Sequence, residues 1–374
     1  MKIGFNASSF ATNTQQIDGI GTYSLHLSAA LANIPTIQLC HYVYPAIKSS
    51  SIQKLNYFPH TFKTSFILAE VFNKAFLNNT NFDLFHATDH HIPKLKNTPV
   101  VVTLHDAVPV LQQDWVKSNL RNVKNWAFRR TIAWADHVIA ISNAVVPDLI
   151  QAFNIPETKI SVIPHGVSEH FFQLESEKNR LAVLEKYNLQ PGYYLFIGTL
   201  QPRKNVERII AAHNNLSKEL RKQHPLVIVG REGWRTESLM PQIAQLIATR
   251  QGQWLKYVPQ QDINSLLQSA LAFVFPSLYE GFGLPVLEAF AARIPVITSN
   301  SSALPEVAGN AAILVNPYSI REIQNAMAEI AKNKILRAEL VCRGYEQAKK
   351  MTWSESARLT IEVYKKILEK GNEK

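Results

Sequence analysis

Along the chain, short apolar runs alternate with longer stretches in which apolar residues recur at helical spacing, the pattern of a parallel, doubly wound α/β sheet. In the N-terminal half this predicts strands at Lys2–Asn6, Gln38–Tyr44, Leu84–His86, Val100–Leu104, Asp136–Ile141 and Ile160–Ile163. A helix is predicted from Gly19 to about Ala32, and another with Ser142 as its cap runs to Phe153. From about Gly166 to Gly192 the pattern loosens into charged, weakly helical sequence. It then restarts, with strands at Tyr193–Gly198, Leu226–Gly230, Trp254–Val258, Ala270–Phe275 and Pro295–Ser299. A helix opens at Pro285, helices fill 319–350, and a last one covers Trp353–Leu368. Two such halves predict domains at 1–170 and 193–352 with 171–192 as linker, and 374 residues is a comfortable length for two domains.

Composition narrows the class. At 46% hydrophobic and 18% charged the chain reads as soluble and globular. Cys40 and Cys342 stand far apart, as in a reducing compartment without a disulfide framework. Neither a leader pattern nor a bilayer-length apolar stretch is evident, so a cytoplasmic protein is expected, with peripheral attachment to the inner face of a membrane as an added possibility. The net charge of +10 is spread along the chain, and nucleic acid is not an expected partner. One local cluster stands out: Lys117, Arg121, Lys124, Arg129 and Arg130, interleaved with Trp115, Trp126, Phe128 and Trp134 and free of acids. Residues 115–134 fit an amphipathic helix on an anionic membrane surface, and equally a solvated helix whose tryptophans enter the core.

The chemistry concentrates at Pro276–Glu288, P-S-L-Y-E-G-F-G-L-P-V-L-E, read as the loop and helix start that follow a buried strand. Gly281 and Gly283 allow close approach of backbone to a ligand, and the amides opening the helix offer donors to an anion. Glu280 and Glu288 put carboxylates at either end of that pocket. Arg203 and Lys204 sit before another helix with Asn205 as its expected cap, so positive side chains and helix amides converge. Gly19-Ile-Gly-Thr-Tyr-Ser24 looks like a dinucleotide fingerprint, but twelve residues separate it from its strand, which argues against NAD. The run His86-Ala-Thr-Asp-His-His91 matches no established metal spacing and reads as a strand end near an acceptor. His105-Asp106 ends the strand Val100–Leu104, where ligands of open α/β sheets collect.

Taken in order, Gly19/Gly21, His105-Asp106, Arg203-Lys204 and Glu280-x7-Glu288 resemble the family 4 retaining glycosyltransferases, in particular bacterial polysaccharide and lipopolysaccharide mannosyltransferases. The resemblance implies a GT-B fold, with two Rossmann-like domains facing across a cleft and a C-terminal helix, 353–374, crossing back to the first. It assigns Glu280 to the donor sugar, Glu288 to the ribose hydroxyls, and the amides of Gly281, Phe282, Gly283 and Leu284 to the sugar and diphosphate. Arg203 and Lys204 would neutralise the departing diphosphate, Gly19 and Gly21 would fold over it, and His105 would touch the sugar. The implied donor is a nucleotide sugar, best matched by GDP-mannose, and the implied acceptor a lipid-linked saccharide or lipopolysaccharide intermediate. No cofactor and no metal are expected, because the eight aspartates form no Asp-x-Asp. UDP-glucose or UDP-N-acetylglucosamine as donor, a nucleotide-sugar epimerase, and a non-catalytic sensor are the rival readings. The chain departs from the family pattern at Thr22, where arginine is usual, at His165, where asparagine is usual, and at Arg293, where glycine is common.

Overall fold

The computed structural model describes residues 1–11, 18–45, 55–111 and 121–372. They form two compact units, Met1–Gly166 together with Trp353–Lys374, and Val167–Thr352. The first carries strands β1 (Lys2–Asn6), β2 (Gln38–Val43), β3 (Asn56–Tyr57), β4 (Leu84–Ala87), β5 (Val100–Leu104), β6 (His137–Ala140) and β7 (Ile160–Val162). They make one seven-stranded sheet in the order β3-β2-β1-β4-β5-β6-β7, every pairing parallel. Strands β4, β5 and β6 are buried throughout, which is why their sequences are nearly continuous apolar runs and not alternating ones.

The helix Trp353–Asn372 belongs to this first unit and lies against the helix Gly19–Ala32. A buried polar chain anchors it: the Tyr364 hydroxyl meets His86 Nδ1 at 2.7 Å, His86 Nε2 meets Thr103 Oγ1 at 2.8 Å, and Tyr23 OH meets the same Oγ1 at 2.7 Å. His86 is thus a core residue joining β4 to the last helix. His91 turns instead to Asp89, and His90 packs edge-on against Phe128.

The second unit repeats the plan with β8 (Tyr194–Ile197), β9 (Leu226–Val229), β10 (Gly252–Leu255), β11 (Ala272–Phe275), β12 (Val296–Ser299) and β13 (Ile313–Val315). The order is β10-β9-β8-β11-β12-β13, again all parallel. The segment 171–192, expected as a linker, is part of this unit: its helix Glu177–Lys186 packs on the helix Gln260–Ser269, with Lys186 Nζ 2.6 Å from buried Asp262. Its charged composition reflects one exposed face; the other is seated by that ion pair and by Leu184. The chain passes between the units at Gly166/Val167 and returns at Thr352/Trp353, where Val167 and Thr352 form a parallel bridge.

Two expected helix caps are made differently. Ser142 precedes a 3-10 turn, Asn143–Val145, and its side chain makes no capping bond. Asn205 stands in the left-handed region at φ 63° and likewise does not cap with its side chain; its amide is used elsewhere.

Candidate active site

In the second unit, β8 and β11 are neighbours at the point where the strand order reverses, and the loops leaving their C-terminal ends meet there. The loop after β8 tightens into a 3-10 turn, Pro202–Lys204, and then enters the helix Val206–Asn214. The loop after β11 is Pro276–Gly283, followed by the helix Leu284–Ala291 with Pro285 in its first turn. The two loops are bonded through backbone, Leu278 N donating to Arg203 O at 2.7 Å. Asn205 is the second fastening: its Nδ2 donates to the carbonyls of Pro276 at 2.8 Å and Pro317 at 2.7 Å.

Glu280 is the centre of this junction. Oε1 accepts from Lys204 Nζ at 2.7 Å and Oε2 from Arg203 Nη1 at 3.0 Å, while the same Arg203 nitrogen reaches Tyr279 O at 3.2 Å. Lys204 also lies over the Phe275 ring, 4.7 Å from its centroid. Burial by itself would push the Glu280 carboxyl up, but Lys204 and Arg203 outweigh it and hold the group below its usual range. For Lys204 the balance goes the other way: burial pulls the ammonium down to about 8, with Glu280 opposing. Both groups are therefore charged at neutral pH. They form a buried anion bonded to two cations.

The loop after β12 supports the arrangement from behind. Ser302 Oγ accepts from Glu280 N at 3.0 Å, Ser299 Oγ donates to Ser277 O at 2.7 Å, and Ser301 Oγ donates to Leu278 O. Gly283 adopts φ 124°, and a Cβ there would lie 2.7 Å from Leu304 Cδ2, so both backbone shape and space call for glycine. Phe282 is buried, and Gly281 and Leu284 are partly open. Glu288 lies one turn into the helix. Among the described residues its side chain has no ion-pair partner, and burial pushes its carboxyl up to about 8.

Four further expected residues lie in the first unit. His105 follows β5, with Nε2 3.0 Å from Thr88 O and its ring edge-on to Tyr23 at 4.9 Å; burial lowers its pKa. Asp106 accepts from Val108 N at 3.0 Å and shapes the turn into the short helix Val108–Leu111. Gly19 opens its helix with free space around it, whereas the Gly21 amide already donates to Asp18 Oδ1 at 2.8 Å. Sequence reading missed Asp18 as that cap, although an aspartate directly before Gly19 is the ordinary signal for one. It also missed the work of Ser299, Ser301 and Ser302; only the serine-rich run after β12 hinted at it. Of the departures, Arg293 keeps the left-handed turn that favours glycine, φ 62°, and lays its guanidinium on Tyr345 at 4.2 Å. His165 stacks on Tyr23 at 4.7 Å, and Thr22 Oγ1 donates to Asp18 O.

Comparison with known proteins fits this geometry. Residues 180–347 match the family described as glycosyl transferases group 1, and residues 17–171 match glycosyltransferase family 4. O-antigen chain mannosyltransferase B of Escherichia coli is 32% identical over 286 residues, covering 75% of this chain and 74% of its own. The serotype-specific mannosyltransferase WbdA of Escherichia coli is 27% identical over 278 residues, 73% of this chain but only 34% of that longer protein. Sucrose-phosphate synthase from Thermosynechococcus elongatus shares the fold with a TM-score of 0.76 at 19% identity, covering 98% of each chain.

Proposed function

Because this chain belongs to the family 4 glycosyltransferases of GT-B fold, we propose that it transfers mannose from GDP-mannose, with retention and without a metal, to a hydroxyl of a lipid-linked saccharide or lipopolysaccharide intermediate. The observation that carries this reading is the pairing of Arg203 and Lys204 with Glu280 beside the start of the helix Leu284–Ala291. Two cations and a helix start supply preorganised positive potential for a leaving diphosphate, the part a divalent ion takes elsewhere. As the diphosphate takes up Arg203 and Lys204, Glu280 gives up their hydrogen bonds and turns its oxygens to the sugar. Glu288 receives the ribose hydroxyls, and the family resemblance assigns His105 to the sugar. The C1–phosphate oxygen bond breaks and the acceptor oxygen bonds C1 on the same face. The acceptor proton leaves on the departing phosphate.

The mannose assignment is supported by the relatives, one an O-antigen chain mannosyltransferase and the other a serotype-specific mannosyltransferase. The test is a transfer assay with EDTA present, offering GDP-mannose, UDP-glucose and UDP-N-acetylglucosamine with a mannose-terminated lipid-linked acceptor, and reading the new linkage by NMR. An α-mannosidic product from GDP-mannose alone is expected. A β-linked product, a strict need for divalent ion, or turnover only with a UDP-sugar would each overturn the corresponding part. An altered sugar released without acceptor would indicate the epimerase instead, and binding without turnover the sensor.

A further inference from the structure

The predicted basic helix lies only partly within the described residues: 112–120, with Trp115 and Lys117, fall outside, and the helix runs Arg121–Ile132. Its aromatic residues divide. Phe128 packs on Phe153 and Trp134 on Phe76, but Trp126 is 51% exposed and Val123 59%. A second helix of the same unit, Phe62–Phe72, stands beside it and was not part of the sequence expectation. Phe66 meets Trp126 edge-on at 5.8 Å, and Arg130 bonds Glu70 at 2.9 Å, so the two helices are fixed side by side. On the second helix Ile67 is 48% and Val71 66% exposed.

The exposed residues are ordered by helical spacing. Lys63, Ile67 and Val71 succeed one another at i, i+4 on one helix; Val123, Trp126 and Arg130 follow at i+3 and i+4 on the other. Each outward stripe therefore pairs large apolar side chains with a cation. Lys74 and Lys124 are exposed beside them, and the sole acid on either helix, Glu70, is neutralised by Arg130. A face that leaves Ile, Val, Val and Trp in water beside cations and no free acid matches one partner chemistry well: the headgroup and acyl boundary of an anionic bilayer. No helix among the described residues is long and apolar enough to cross a membrane, so such contact is made from the surface.

We propose that the paired helices Phe62–Phe72 and Arg121–Ile132 form a docking face for anionic lipid, with Ile67, Val71, Val123 and Trp126 entering the interface and Lys63, Lys74 and Lys124 meeting the headgroups. The face rests on its own surface chemistry and stands whichever sugar or acceptor the enzyme uses. These residues belong to the first unit and the donor-site junction to the second. The test is co-sedimentation of the full chain with vesicles of phosphatidylcholine alone and with about a third phosphatidylglycerol, at low and high salt. The expected result is binding to the anionic vesicles that weakens with salt. Lys63→Gln/Lys74→Gln/Lys124→Gln is expected to lower the partition coefficient about a hundredfold, at about fivefold per cation near a charged surface. Ile67→Ser/Val71→Ser/Val123→Ser is expected to lose at least about tenfold at unchanged charge. Because these positions are exposed, melting temperature and consumption of nucleotide sugar in detergent solution should match wild type. The proposal is overturned by wild-type binding that ignores lipid charge, or by apolar variants that bind as wild type. A wild-type dimer in sedimentation velocity that the apolar variant dissociates would also overturn it, identifying the face as a contact between copies.

Discussion

Burial pushes the Glu288 carboxyl up to about 8, so near neutral pH it is mostly protonated. A neutral carboxyl gives one hydrogen bond and accepts on its carbonyl oxygen, whereas a carboxylate accepts from two vicinal ribose hydroxyls at once. If the carboxylate is the binding form, nucleotide uptake expels a proton. Affinity for GDP by titration calorimetry is then expected to rise about tenfold per pH unit below the pKa and level off above it. Glu288→Gln should bind at least about tenfold more weakly at high pH and lose the pH dependence. Stability runs the opposite way. A raised carboxyl pKa adds stability that is complete below the ordinary carboxyl range and is lost as pH rises through about 8, and the glutamine variant escapes that loss. Individual residue identities were legible where chemistry is carried by type, as at Glu280, Arg203 and Lys204. Arg293 was not, because whether a side chain follows a left-handed turn into solvent or onto Tyr345 depends on a helix fifty residues away in contact, not in sequence pattern.

At the scale of elements, the site is a junction of the turn 202–205 with the loop 276–283, closed by Glu280. Glu280→Gln removes the anion while leaving the hydrogen-bonding shape, and two neighbouring cations lose their shared partner. Breaking a buried pair in this way is expected to cost about 3 kcal/mol, seen as a lower melting temperature. Transfer should fall by orders of magnitude. Yet GDP should raise the variant's melting temperature more than that of wild type, since the diphosphate no longer competes with the carboxylate for Arg203 and Lys204. An equal rise in both proteins would mean these cations do not meet the phosphates. Most strands and the long helices were readable from period and burial pattern, because parallel strands with both faces covered become apolar runs. The caps at Ser142 and Asn205 were not. Asn205 gives its amide to carbonyls of two other segments, Pro276 and Pro317, a choice no local pattern encodes.

For the whole molecule, the chain's return to its first unit is tied by Tyr364 to His86 in the core. Burial, with His105 adding to it, lowers the His86 pKa to about 3. A histidine kept neutral in this way contributes stability that is present above its ordinary pKa near 6.5 and is lost as pH falls through about 3. Burial lowers His137 to about 4, and His41, His90, His105 and His165 as well, so the same sign recurs through this unit. The melting temperature is accordingly expected to fall steadily between pH 6.5 and 4. Tyr364→Phe should cost a further 1–3 kcal/mol, about the usual penalty for leaving a buried ring nitrogen without its partner. An unchanged melting temperature in that variant would mean the helix is anchored by packing alone.

The sequence alone determined that the chain folds as two parallel α/β halves and that its ionic chemistry lies in loops at strand ends, because burial on both faces and loops rich in glycine and charge each leave marks in residue type and local spacing. It also marked the basic, aromatic segment as unusual. Tertiary structure decided the rest. It set Glu280 between Arg203 and Lys204, turned His86 into a core tie, drew 171–192 into the second unit, and set the helix Phe62–Phe72 beside Arg121–Ile132. Each of those outcomes is a contact between segments distant in the chain, settled by which desolvated group needs a partner and which segment lies within reach of it.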